Sequence, residues 1–182
     1  MNRIGRLKPS DLLAAMLALT FLLACGLDAA GRAEKMTDEG EGGRLFKGAW
    51  FEVLYPEGFT AKPSLPSTTA DGYDSVEFTS PDGTVSFYVF APQWGGAAAD
   101  IDLNPEREQL VAERFLQKTD HSLRWFTIAA RDGSYRRSYL ETIAQQGSVK
   151  TIVGIKYRDE EAQRRYQEQY LLFRQSLELF GD

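Results

Sequence analysis

Hydrophobic positions change period three times along this chain. Residues 12–24 read LLAAMLALTFLLA, an unbroken apolar run in which Thr20 is the single polar side chain. Residues 26–43 (GLDAAGRAEKMTDEGEGG) then hold almost no large apolar group. Beyond them, extended stretches rich in β-branched and aromatic residues predict strands, because successive side chains of a strand point to opposite faces. Trp50–Tyr55 is the first and ends at the turn cluster Pro56-Glu57-Gly58. Ser75–Thr79 and Thr84–Phe90 flank Ser80-Pro81-Asp82-Gly83, an order of turn residues that predicts a hairpin. Val85, Phe87 and Val89 fall on one face and Ser86, Tyr88 and Phe90 on the other, so both faces of that strand are expected to be covered.

After a Gly-rich loop over Pro92–Asp100, Asn104 and Pro105 resemble an N-cap and first helical residue. They predict a helix to about Thr119 that buries Leu110, Val111, Phe115 and Leu116. Three strands follow, at Leu123–Ala129, Ser134–Ala144 and Ser148–Tyr157, joined by the short turns Arg131-Asp132-Gly133 and Gln145-Gln146-Gly147. Such brevity requires antiparallel neighbours. Asp159 is placed to cap a final helix whose Ala162, Tyr166, Tyr170, Phe173, Leu177 and Phe180 recur at spacings of three and four, one apolar stripe. Strands punctuated by helices predict an α+β domain over residues 44–182, with an antiparallel sheet flanked by helices.

The first apolar run has a different meaning. Arg3, Arg6 and Lys8 precede it, and it is shorter than the ~20 residues a transmembrane helix needs. Residues 1–24 are therefore expected to be a signal peptide. The run ends in Leu22-Leu23-Ala24-Cys25, which resembles the bacterial lipobox. That resemblance implies diacylglycerol on the Cys25 thiol, cleavage before Cys25 and acylation of the new amino terminus. It also accounts for the chain's single Cys, which can form no internal disulfide. Because several acyl chains each bury many methylenes, such an anchor is durable. Residues 25–43 become the lipidated Cys and a flexible tether, too poor in apolar groups to fold. The residue after Cys25 is Gly26 rather than Asp. By resemblance to lipoproteins of two-membraned bacteria, this permits transfer to the outer membrane, with the domain facing the periplasm.

Charge narrows the partners. Loss of residues 1–24 would leave 18 basic and 25 acidic residues, an anionic body that neither neutralises nucleic-acid phosphates nor lies on anionic lipid. The membrane is then a partner only through the lipid on Cys25.

Candidate chemistry is sparse. His121, the single histidine, falls in the polar connection Lys118-Thr119-Asp120-His121. With Cys25 lipidated, neither Cys–His nucleophilic chemistry nor a conventional zinc site is available. There is no Gly-x-Ser-x-Gly elbow, and Gly95-Gly96 lacks the Lys-Ser/Thr of a phosphate loop. Asp71/Asp74 and Asp100/Asp102 lack the ligand spacing of a calcium loop and suit turns and caps. Glu160 and Glu161 suit the positive end of a helix dipole. No catalytic residue, metal or cofactor is expected. One basic and aromatic feature stands out. In Ser134–Tyr139 (SYRRSY), Tyr135, Arg137 and Tyr139 share a strand face, with Arg124, Lys150, Lys156 and Arg158 on adjacent strands or their ends. Together they are a candidate surface for a carboxylate, a glycan or an acidic envelope protein, against the alternative of solvated edge charges. Trp94 is a second candidate contact, against the alternative that it packs under its own loop.

Three features resemble the PsbP-like superfamily, which also includes the Ran-binding Mog protein and bacterial DcrB-type lipoproteins. They are an aromatic strand leading into Tyr55-Pro56-Glu57-Gly58-Phe59, the hairpin around Ser80-Pro81-Asp82-Gly83, and the terminal amphipathic helix ending in Ser176-Leu177-Glu178-Leu179-Phe180. The resemblance spans residues 45–180 and implies an α/β/α sandwich and an assembly or accessory role rather than catalysis. The expected function is a membrane-anchored periplasmic module that binds or assembles envelope components. The alternative is an envelope hydrolase with two carboxylates facing one cleft, ~5–10 Å apart.

Overall fold

A computed structural model describes residues 43–93, 96–144 and 149–180. Ten strands are formed: β1 (Gly43–Lys47), β2 (Phe51–Pro56), β3 (Thr60–Pro63), β4 (Ser75–Thr79), β5 (Val85–Phe90), β6 (Glu108–Gln117), β7 (His121–Ala130), β8 (Arg136–Ala144), β9 (Lys150–Tyr157) and β10 (Glu178–Leu179). One α-helix, α1 (Glu160–Gln175), and a single 3-10 turn at Ala99–Ile101 complete the described elements. Seven strands make one antiparallel sheet in the order β3-β4-β5-β9-β8-β7-β6, and β1-β2-β10 make a small second sheet.

The expected hairpin forms between β4 and β5. The Asp82 carboxylate accepts from Ser80 Oγ (2.7 Å), Thr84 Oγ1 (2.8 Å) and Thr84 N (3.1 Å), and Gly83 takes φ +67°. Asp159 caps α1 as expected, its side chain accepting from Ala162 N at 2.8 Å. The apolar stripe of α1 and strand β2 close over one face of the large sheet. There Phe78 and Phe87 lie 5.3 and 5.1 Å from Phe173, ring centre to ring centre, and Phe51, Val53, Val89, Val153 and Ile155 complete the core.

Three expectations are corrected. The segment after Asn104 is a strand. Asn104 does cap a turn, accepting from Glu106 N through its side chain and from Arg107 N and Glu108 N through its carbonyl. The chain then extends, because β6 pairs with β7 from Glu108 to Gln117 with one bulge at Val111, and that pairing outweighs local helix propensity. Leu110, Val111, Phe115 and Leu116 are accordingly exposed rather than buried. Second, α1 ends at Gln175. Ser176 N takes the last helical carbonyls, Ser176 Oγ bridges Leu54 N and Phe173 O, and Glu178–Leu179 join β2 as a strand. Third, helices do not flank the sheet on both faces. The described residues contain one helix, on one face, and the opposite face is covered in part by the segment 96–107.

The covered part of that second face holds Tyr88, Phe90, Phe126, Ile128, Tyr139 and Ile152. Tyr139 stands opposite Gly154 on β9, and a Cβ at 154 would lie 2.1 Å from Tyr139 Cδ1. The buried ring has little room to withdraw. Gly154→Ala is therefore expected to destabilise the domain by about 1–3 kcal/mol through overpacking, read as a lower urea midpoint at unchanged slope. An unchanged midpoint would show that the ring moves freely.

Candidate interaction surface

The cluster expected around Arg137 is an interior strut. Arg137 and Tyr139 share one face of β8 and Tyr135, just before it, turns to the same side, but Arg137 and Tyr139 are buried and Tyr135 half-buried. Glu108, at the start of β6, is buried opposite them. Arg137 Nε donates to Glu108 Oε1 (2.9 Å) and Nη2 to Glu108 Oε2 (2.6 Å). Nη2 also donates to Asp102 O (3.0 Å), and Nη1 donates to Ile101 O (2.6 Å) and Tyr139 Oη (3.3 Å). Five acceptors match the five N–H bonds of a guanidinium, so none is left for a ligand. Tyr135 Oη donates to Glu108 Oε1 at 2.6 Å, and Asn104 N donates to Oε2 at 2.8 Å. Burial alone would raise the Glu108 pKa, but the bonds from Arg137, Tyr135 and Asn104 outweigh it and hold the carboxyl down at about 2. The strut pins the segment before β6 onto the sheet.

Most of the neighbouring charges are likewise answered by acids. Arg124 Nη2 meets Glu113 at 2.7 Å and its Nη1 meets Glu141 at 3.4 Å, while Lys150 meets the other oxygen of Glu141 at 3.0 Å. Lys156 lies 4.5 Å from the Tyr135 ring centre, and Arg158 pairs with Asp159. The expected cationic area is thus a mosaic in which Arg124, Lys150 and Arg158 are paired with acids and Lys156 rests on an aromatic ring. His121 opens β7 and pairs through Nδ1 with Asp120. Asp100 accepts from Ser75 Oγ (2.8 Å) and from Tyr88 Oη (2.7 Å). Burial first, and the bond to Asp100 second, raise the pKa of the Tyr88 phenol, which stays protonated. Cys25 and Trp94 lie outside the described residues.

Two shallow cavities flank Pro92. One, of about 210 Å³, is lined by Leu65, Pro66, Thr69, Asp74 and Phe90. The other, about 80 Å³, is lined by Trp50, Gln93, Val149 and Phe180. Both fall short of the ~300–1,000 Å³ of a small-molecule site. Asp74 is the one carboxylate lining either, so among the described residues neither brings two acids together.

The feature that residue patterns did not disclose is the β6 end of the large sheet. Every residue from Gln109 to Gln117 is exposed. Phe115 is 66% exposed, Val111 49% and Leu110 44%. On the face of Phe115, the Arg124 guanidinium lies 5.6 Å from the Phe115 ring centre and 4.5 Å from that of Phe126. On the other face, beyond the reach of α1, Leu116, Leu123, Trp125 and Leu140 are only partly covered, and Arg114 lies 5.8 Å over Trp125. Pairing offers no explanation for so many apolar side chains in water, and contiguous exposed apolar surface marks interaction sites. Its signal in the sequence is weak: Leu110, Val111, Phe115 and Leu116 fall on both faces of a strand, and the same residues also suit the buried side of a helix.

No protein-family model matches this chain, and no curated protein does. Solved structures with a PsbP-like fold are similar to it at low identity. The solution structure of cyanobacterial PsbP (CyanoP) from Synechocystis sp. aligns at TM-score 0.43 and 11% identity, covering 85% of this chain and 99% of that one. The crystal structure of the Saccharomyces cerevisiae Ran-binding protein Mog1p aligns at TM-score 0.43 and 8% identity, covering 78% and 97%.

Proposed function

We propose that this protein is a non-catalytic binding or assembly module of the bacterial cell envelope. In this reading it is held on the periplasmic side of the outer membrane by lipid on Cys25 and makes its contacts through the β6–β7 end of its sheet. One observation carries the contact role: a ten-residue edge strand whose large apolar side chains stand in water. Glu113, Arg124, Glu141 and Lys150 beside it are paired with one another, which favours docking over chemistry. Among the described residues no helix is long and apolar enough to cross a membrane. In this reading attachment rests on the lipobox-like segment Leu22–Cys25.

Both halves of the proposal are testable. Cys25→Ser is expected to leave an unprocessed precursor that no longer partitions into the detergent phase. Normal processing and partitioning of that variant would remove the lipid anchor. Crosslinking in intact cells followed by mass spectrometry should give adducts whose sites in this chain fall on β6 and β7. Adducts confined to α1 or to the β3 edge would place the contact surface elsewhere.

A further inference from the structure

The two edges of the seven-stranded sheet differ in how they are protected. β3 has only four residues and carries Lys62 and Pro63, a charge and a missing donor that both discourage pairing with another strand. β6 is ten residues long and has neither Lys nor Pro. Besides the charges of Glu113 and Arg114, its defence is a bulge between Leu110 and Ala112, which spoils its first half and leaves Ala112–Gln117 regular. The backbone groups on its outer side can be assigned. Lys118 N donates to His121 O across the β6–β7 turn, so residue 118 is turned inward. Since this alternates along a strand, Glu113, Phe115 and Gln117 present their N–H and C=O outward.

We propose that β6 pairs antiparallel with β6 of a second copy of this chain, about a two-fold axis at Phe115, joining two seven-stranded sheets edge to edge; the proposal rests on the reading of this strand as a contact surface. An axis perpendicular to the sheet keeps each face with itself, so register decides which side chains meet. An axis at 113 would set Glu113 against Glu113, and one at 114 would set Arg114 against Arg114. An axis at 116 would set Arg114 against Lys118. With the axis at 115, Phe115 meets Phe115 and Glu113 meets Gln117 on one face, while Arg114 meets Leu116 on the other, and no like charges oppose. The outward N–H and C=O of 113, 115 and 117 then meet those of 117, 115 and 113 in the second copy. The phenyl pair is bracketed on each side by an Arg124 already stacked on its own Phe115, and each Arg124 is already neutralised by Glu113. The chain's own residues 26–42 are a poor occupant, because Leu27 and Met36 are their only large apolar side chains.

The test uses the full-length protein in its envelope with a reporter thiol and a short bis-maleimide. Phe115→Cys should give an adduct of two copies. Leu110→Cys, also exposed but set by this register roughly 30 Å from its mate, should not; the wild-type chain reports any background from Cys25. If Leu110→Cys coupled two copies as abundantly as Phe115→Cys, or if neither variant coupled, the proposal would be overturned. Coupling of the Phe115→Cys variant to a different protein would also overturn it while leaving β6 as a contact surface. Phe115→Pro removes an outward N–H without removing a bond to β7. In sedimentation of the detergent-solubilised full-length protein, the wild type should run as a dimer and Phe115→Pro as a monomer. A monomeric wild type would overturn the pairing.

Discussion

Glu108→Ala should cost this domain about 3–5 kcal/mol, because it strips the counter-charge from a buried guanidinium rather than removing a surface pair. Arg137 is only 7% exposed and keeps its carbonyl acceptors at Ile101 and Asp102, but neither carries charge. Replacing both partners, as in Glu108→Leu with Arg137→Met, should recover part of the loss, since an apolar pair of similar volume needs no counter-charge. Recovery stays incomplete because the Tyr135 hydroxyl and the two carbonyls lose their partners. Urea midpoints of the single and double variants measure this, and additive losses would contradict the strut. Acid supplies an independent check. The folded-state pKa of Glu108 is depressed to about 2 from an ordinary value of 4.5. Its contribution is therefore complete above that ordinary value and lost as pH falls towards 2, when the proton must be taken up. Glu108→Gln should remove that part of the acid limb and leave the rest of the profile in place.

How much of this was readable in the chain depended on the range of the interactions involved. The β4–β5 hairpin was, because Ser80, Asp82 and Thr84 bond to one another within two residues of Asp82. The cap of α1 was, because Asp159 reaches only to Ala162. The shared face of Tyr135, Arg137 and Tyr139 was, since alternation along one strand is geometry. What that face looks onto was not. Its partner, Glu108, is 29 residues earlier, and the carbonyls of Ile101 and Asp102 carry no side-chain signature. The strand β6 was hidden for the same reason. Glu, Gln, Leu, Ala and Arg favour a helix in isolation, and only the long partner strand β7 reverses that preference. An arginine beside two tyrosines suggests a ligand until the acid that claims it is found.

Tyr139→Ala separates the two readings of that arginine most sharply. The ring is buried, 5.2 Å from Phe126 and 5.8 Å from Tyr88 between ring centres, and it lies flush on Gly154. Truncation leaves a cavity that the sheet cannot close, because the facing residue has no side chain to lean in. The expected loss is about 3–5 kcal/mol, the range for a large buried aromatic. Tyr139→Phe keeps the packing and removes one acceptor from Arg137 Nη1, which still has Ile101 O at 2.6 Å. Its cost should therefore be near ~1 kcal/mol, that of one hydrogen bond. Tyr135→Ala should fall between them, since its ring is half-buried and its hydroxyl serves Glu108. Thermal or urea unfolding of the three variants gives the order directly. If Tyr139→Ala instead melted like the wild type, the ring would have to be accessible, and Tyr135, Arg137 and Tyr139 would return as a binding surface. If the order holds, the search for a partner moves to Phe115, Leu116 and Trp125 at the open end of the sheet.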